Sequence, residues 1–326
     1  MSRKSSTFAN TLLAGTMTLT GSLLLTSATK AQEPSFSVGP ATEINSGLFD
    51  CGPRARISAV GKIAAEDGTD WIVPAQTHFE TATKATDLYN ECNGNTMAGI
   101  EALDLAEVPL LDAGGDEEFV AYIFADNYFE LYANGKLLAV DAVPFTPFNS
   151  SVVRFKASRP LTLAVMLVDW EENLGLGSEQ NRRSAFHAGD GGLVAHIQDI
   201  DGKTVALTDN SWRAQTFYTA PLKQRACLKI DGALRDSSAC DTSGTDDGTG
   251  FSAAHWPIPE NWMMPEYDDN TWPMASTFTN KTVGVDNKKA YTNFTSVFDA
   301  TDGDAEFIWS SNLILDNLVL VRKVIK

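Results

Sequence analysis

Along most of the chain, apolar and polar residues alternate in short runs broken by Gly, Asp, Asn and Pro, and no window longer than a few turns carries a clean helical stripe. A period of two marks strands, because successive side chains point to opposite faces of a sheet. Runs rich in β-branched and aromatic residues predict strands over 119–124, 128–132, 136–140, 151–156, 161–169, 192–199, 203–207 and 312–324. Ala125-Asp126-Asn127 is a polar corner suited to a tight connection between the first two. Asn134-Gly135 predicts another turn, since both residues tolerate positive φ. The fold class that follows is all-β.

Three stretches interrupt this pattern. Residues 170–191 form a long, polar, glycine-punctuated segment between two predicted strands, and loops of that length in a compact domain are functional or mobile. Residues 231–250, rich in Asp, Ser, Thr and Gly, read as an exposed part of an insertion spanning 223–257. Residues 32–111 are expected to supply N-terminal strands or a small subdomain ahead of a β-sandwich over 112–326. Before them, Arg3 and Lys4 precede an uncharged stretch with Leu12, Leu13, Leu23, Leu24 and Leu25 at its apolar centre, then small residues up to Ala31. This reads as a signal peptide over 1–31, because Thr, Ser and Gly dilute the stretch too much for a spanning helix. A secreted or periplasmic protein without a transmembrane anchor is expected.

Acidic residues number 42 against 25 basic ones, a formal charge of −17. With no surplus of cations to displace counterions from phosphates, a nucleic-acid partner is excluded. Export gives meaning to the four cysteines, which pair in three ways; Cys51–Cys92 and Cys227–Cys240 are the expected disulfides. A zinc site on the same thiolates has no C-x-x-C spacing to support it.

The run from Phe119 to Lys136, with Ala-Asp-Asn at its corner, an aromatic-Glu-Leu-Tyr strand and a closing Asn-Gly-Lys, resembles the hairpin of galactose-binding-like jelly-roll sandwiches. Gly191 to Ile197, Asp201-Gly202, Thr208 to Trp212, Tyr267 to Trp272, Ile308-Trp309-Ser310 and Leu320 to Lys323 are similar to later strands of that family. The resemblance covers roughly 119–326. It implies an antiparallel jelly-roll sandwich of the kind that accompanies glycoside hydrolases and esterases, in places as a sugar-binding module or brace and often with a structural calcium. The chain departs from the family in having no catalytic domain beside the sandwich and in carrying the cysteine-bearing segment around 227–240.

No G-x-S-x-G elbow, H-E-x-x-H helix or P-loop occurs, so a non-catalytic binding protein is expected rather than an enzyme. Sugar recognition needs aromatic faces to stack on rings and planar polar groups to bond hydroxyls. The loop after Asp169 offers Trp170, Glu171, Asn173, Asn181 and Asp190 for a small polar ligand or glycan. The alternative is a copper or zinc protein using His187, His196 and His255, since imidazole is a common ligand for both ions. Calcium is expected, if anywhere, at the acidic turn holding Asp299, Asp302 and Asp304, because hard oxygen donors suit it.

Overall fold

The structure, a computed structural model, describes Met1 and residues 32–53, 55–180, 185–243, 247–300 and 303–326. Residues 2–31 of the proposed signal peptide, Asn181 and Asp302 therefore lie outside the described residues.

The chain is all-β, and most of its strands assemble into two large sheets packed as a sandwich. In the seven-stranded sheet the order is Ser35–Val38, Ser252–His255, Arg213–Leu222, Asp316–Ile325, Leu161–Val168, Tyr128–Ala133 and Lys136–Val140, antiparallel throughout. The nine-stranded sheet runs Ser276–Phe278, Phe307–Trp309, Gly192–Asp199, Glu117–Asp126, Ser150–Ala157, Thr86–Asn90 and Asn95–Thr96, with Thr204–Leu207 beside Gly192–Asp199. Leu110–Asp112 joins Ser150–Ala157 in parallel.

Alternation explains the interior between the sheets. Phe129, Leu131 and Ala133 lie opposite Leu167, Val165 and Leu163 of the neighbouring strand, and all six are buried on the same side. The intervening Tyr128, Tyr132, Ala164, Met166 and Val168 face the other way and are buried too, in a second core. That core is closed by a meander of Thr42–Phe49, Ser58–Ala64 and Asp70–Val73, together with aromatic residues such as Trp256, Trp262 and Trp272. The seven-stranded sheet is thus covered on both faces, which is why Leu161–Val168 reads as an unbroken apolar run (LTLAVMLV) rather than an alternating one.

One expectation is corrected. Glu117–Asp126 and Tyr128–Ala133 are not the two arms of a hairpin: the first pairs with Ser150–Ala157 and Gly192–Asp199, the second with Lys136–Val140 and Leu161–Val168. Asp126-Asn127 is the corner where the chain crosses from one sheet to the other. The Asn127 amide donates to the Val168 carbonyl at 3.2 Å, and its side-chain oxygen accepts from the Trp170 amide at 2.6 Å. Asn134-Gly135 does turn a hairpin, with φ of 49° and 84°.

Both expected disulfides are present, Cys51–Cys92 and Cys227–Cys240. The second closes a loop of 13 residues, and such a closure contributes about 3 kcal/mol by restricting the unfolded chain. Among the described residues no helix is long and apolar enough to cross a membrane.

Candidate functional site

The loop after Asp169 commits most of its expected ligand residues to the protein itself. Trp170 is buried, edge-on to Tyr128, and its indole N–H donates to the Ala59 carbonyl at 3.0 Å. The buried Glu171 carboxylate gathers the Gly175 and Gly177 amides and the Tyr218 hydroxyl, so it shapes the turn that follows it; burial nonetheless pushes its pKa up to about 7. Asn173 bonds Ser178 Oγ at 3.0 Å. Asp190 is half-buried at the end of the loop.

The three histidines are held by three separate sets of partners. His187 exchanges backbone hydrogen bonds with Glu179. His196, in the nine-stranded sheet, places Nδ1 2.8 Å from the Val297 carbonyl and Nε2 2.8 Å from Thr204 Oγ1. His255, in the seven-stranded sheet, places Nε2 2.8 Å from Ser37 Oγ. Among the described residues no three His, Cys, Asp or Glu side chains stand together as metal ligands. At the acidic turn, Asp299 accepts from the Tyr291 hydroxyl, and Asp304 lies across a two-residue ladder from it, exposed.

A different constellation forms where the meander leans on the seven-stranded sheet. Asp70–Val73 presents Trp71, whose ring stacks on His255 at 5.4 Å and 12°; His255 stacks in turn on Tyr218, its register partner, at 4.9 Å and 6°. These three rings, with Phe217 and Trp256, line a cleft of about 340 Å³. Burial drives the His255 pKa down to about 3, so the imidazole at the centre of the stack is neutral at physiological pH. At the rim Asp70 pairs with Lys62 at 2.7 Å and the Gln76 amide is exposed, while the Arg235 guanidinium lies over the Phe217 and Trp256 rings at 4.4 and 4.8 Å. Within the cleft's lining, the Trp71 indole N–H is buried and has no acceptor. A buried donor left unpaired costs about 1–3 kcal/mol.

No protein-family model, curated protein or solved structure matches the chain significantly. The cleft must therefore be read from its own chemistry: aromatic walls, one buried unpaired donor, a neutral imidazole at the centre and an amide at the rim. That combination suits a neutral, hydroxyl-bearing molecule with apolar faces. Sequence reasoning missed the cleft because its residues come from segments far apart in the chain. The signal it held was Trp71 in the short apolar run Trp71-Ile72-Val73, where a large aromatic ring needs a partner surface.

Proposed function

We propose that this chain is an exported, non-catalytic β-sandwich protein of the galactose-binding-like type that binds a neutral carbohydrate in the cleft lined by Trp71, Tyr218, His255 and Trp256. The observation that carries the reading is the unpaired Trp71 N–H set among aromatic walls. A sugar hydroxyl oxygen would accept from it while the C–H face of the ring lay against the aromatic side chains, and Gln76 would bond a second hydroxyl. The apolar leader and the two disulfides support an oxidising destination. The cleft is favoured over the loop after Asp169 because Trp170 and Glu171 already have partners in the interior.

Titration calorimetry against a panel of neutral and acidic oligosaccharides tests the proposal, with Trp71→Phe as the diagnostic variant because it keeps an aromatic ring and removes the donor. Losing one neutral hydrogen bond to the ligand is expected to weaken binding roughly 2- to 10-fold. Indifference of the wild-type protein to every sugar, or equal affinity in the variant, overturns the reading.

A further inference from the structure

In a chain with 42 acidic residues against 25 basic ones, cations gathered without acids to match them are a local exception. They gather in a second cleft, of about 400 Å³, which shares no lining residue with the aromatic one. Its charged lining is Arg56, from the turn ahead of Ser58–Ala64; Lys288 and Lys289, at the start of the short helix Lys289–Thr292; and one acid, Glu91, just past Thr86–Asn90. The Cys51–Cys92 disulfide ties the segment that carries Arg56 to the strand end that carries Glu91. Two walls of the cleft are thereby fixed to each other, which lowers the ordering cost of binding between them.

The three cations differ in what holds them. Arg56 is committed: its guanidinium pairs with Glu179 and lies 4.3 Å from the centre of the Phe145 ring. The Lys288 ammonium stands 4.7 Å over Phe148, which stacks in turn on Phe124 at 5.9 Å and 23°. That contact fixes the ammonium in the cleft without neutralising it. Lys289 is exposed, and among the described residues neither lysine forms an ion pair or a hydrogen bond through its ammonium. Glu91 accepts from the Tyr89 hydroxyl at 2.8 Å instead. Lys288 acts on the buried Asp126 and on Asp190 only through space, and burial raises both of those carboxyls, so they offset its charge incompletely. Beside the lysines, Thr146 and Asn287 contribute a hydroxyl and an amide, and neither side chain is hydrogen-bonded among the described residues.

We propose that this cleft binds one acidic sugar residue, with Lys288 and Lys289 taking its carboxylate or sulfate group and Thr146 and Asn287 bonding its hydroxyls. Ammonium groups without a protein acid form charge-assisted bonds with an oxyanion, about twice as strong as bonds to a neutral oxygen. The hydroxyl and amide beside them give a polyhydroxylated anion contacts that a bare inorganic one cannot use. The cleft volume matches a small ligand. With a formal charge of −17 on the whole chain, the rest of the surface repels anions, so retention depends on this local reversal and falls as salt screens it. The site is separate from the aromatic cleft and does not rest on the neutral-sugar reading.

The test is titration calorimetry of the full-length protein with trigalacturonate, a sulfated galactose disaccharide, the matching neutral disaccharide and sodium sulfate. Saturable binding of an acidic sugar is expected, tighter than that of sodium sulfate and weakening as NaCl is raised; the tighter of the two acidic sugars identifies the anionic group. Lys288→Gln and Lys289→Gln are each expected to weaken it roughly tenfold. Lys203→Gln, which removes an exposed lysine outside the cleft, is expected to leave it unchanged. Neither cleft variant should alter neutral-sugar binding at Trp71, so the two readings fail separately. Absence of binding by both acidic sugars overturns the proposal, as does affinity no higher than that of sodium sulfate. So does unchanged affinity in Lys289→Gln, whose exposed side chain makes a folding defect no explanation, or an equal loss in Lys203→Gln.

Discussion

Arg322 is the most informative single side chain for the second core. It sits on Asp316–Ile325, on the same side as Leu318 and Leu320, and its side chain is 1% exposed. Nε donates to Asp269 Oδ2 at 2.7 Å, Nη1 donates to the Trp262 carbonyl, and Nη2 donates to the Tyr267 carbonyl at 3.4 Å. One guanidinium thereby pins the 262–269 segment to the middle of the seven-stranded sheet. Replacing it by Met keeps much of the volume but leaves an acid and two carbonyls without their donor. Breaking a buried ion pair from one side costs about 3–5 kcal/mol. The Asp269 side chain is 18% exposed and can regain some water, which places the expected loss near the lower end, at about 3 kcal/mol. For a chain of this size that corresponds to a Tm drop of roughly 6–10 °C. Arg322→Lys, with one compact ammonium in place of a planar fork, should recover only part of it. Calorimetry of the two variants, with limited proteolysis of the 256–275 segment, reads the effect. A Tm within about 2 °C of wild type for Arg322→Met, with no new cleavage in that segment, would refute the claim that the outer layer is a cooperative part of the fold.

Two further expectations concern stability. Asp141 is buried, and desolvation pushes its pKa up to about 7, so its folded form binds a proton that the unfolded chain releases near 4. Its contribution is fully present below the unfolded value and is lost as pH rises through about 7, on the order of 4 kcal/mol in all. Both donors to Asp141, the Val143 amide and Asn149 Nδ2, meet the same oxygen, so Asp141→Asn can keep both bonds; denaturant midpoints between about pH 4 and 8 should fall in wild type and be flatter in the variant. Converting Cys227 and Cys240 together to Ser should cost about 3 kcal/mol, measured by urea unfolding; no change would show that the 13-residue loop is already ordered in the unfolded ensemble.

The sheets were legible where a strand is covered on one face or reads as a long apolar run, and illegible where polar residues are buried. Arg213–Leu222, in the middle of the seven-stranded sheet, carries Gln215, Thr216 and Thr219 in its interior and Pro221 near its end, a pattern that argues against a buried strand. The polar groups are tolerated because other segments supply partners: Gln215 Nε2 donates to the Ala233 carbonyl, and the Thr219 hydroxyl donates to Asp316 at 2.7 Å. Those partners belong to the insertion and the C-terminal strand, so nothing local announces them. The same reasoning separates the two candidate sites. Trp170, Glu171, Asn173, Asn181 and Asp190 lie together in one long, polar, glycine-punctuated loop, which made that segment legible as a candidate, although Trp170 and Glu171 turn inward to partners that the sequence does not announce. Trp71, Tyr218 and His255 share no segment at all. Their ring stack exists only because the N-terminal meander closes over a sheet whose uninterrupted apolar strand, Leu161–Val168, already required a second covering layer. That requirement was present in the residues before any fold was known, because an eight-residue strand with no polar face cannot border water on either side.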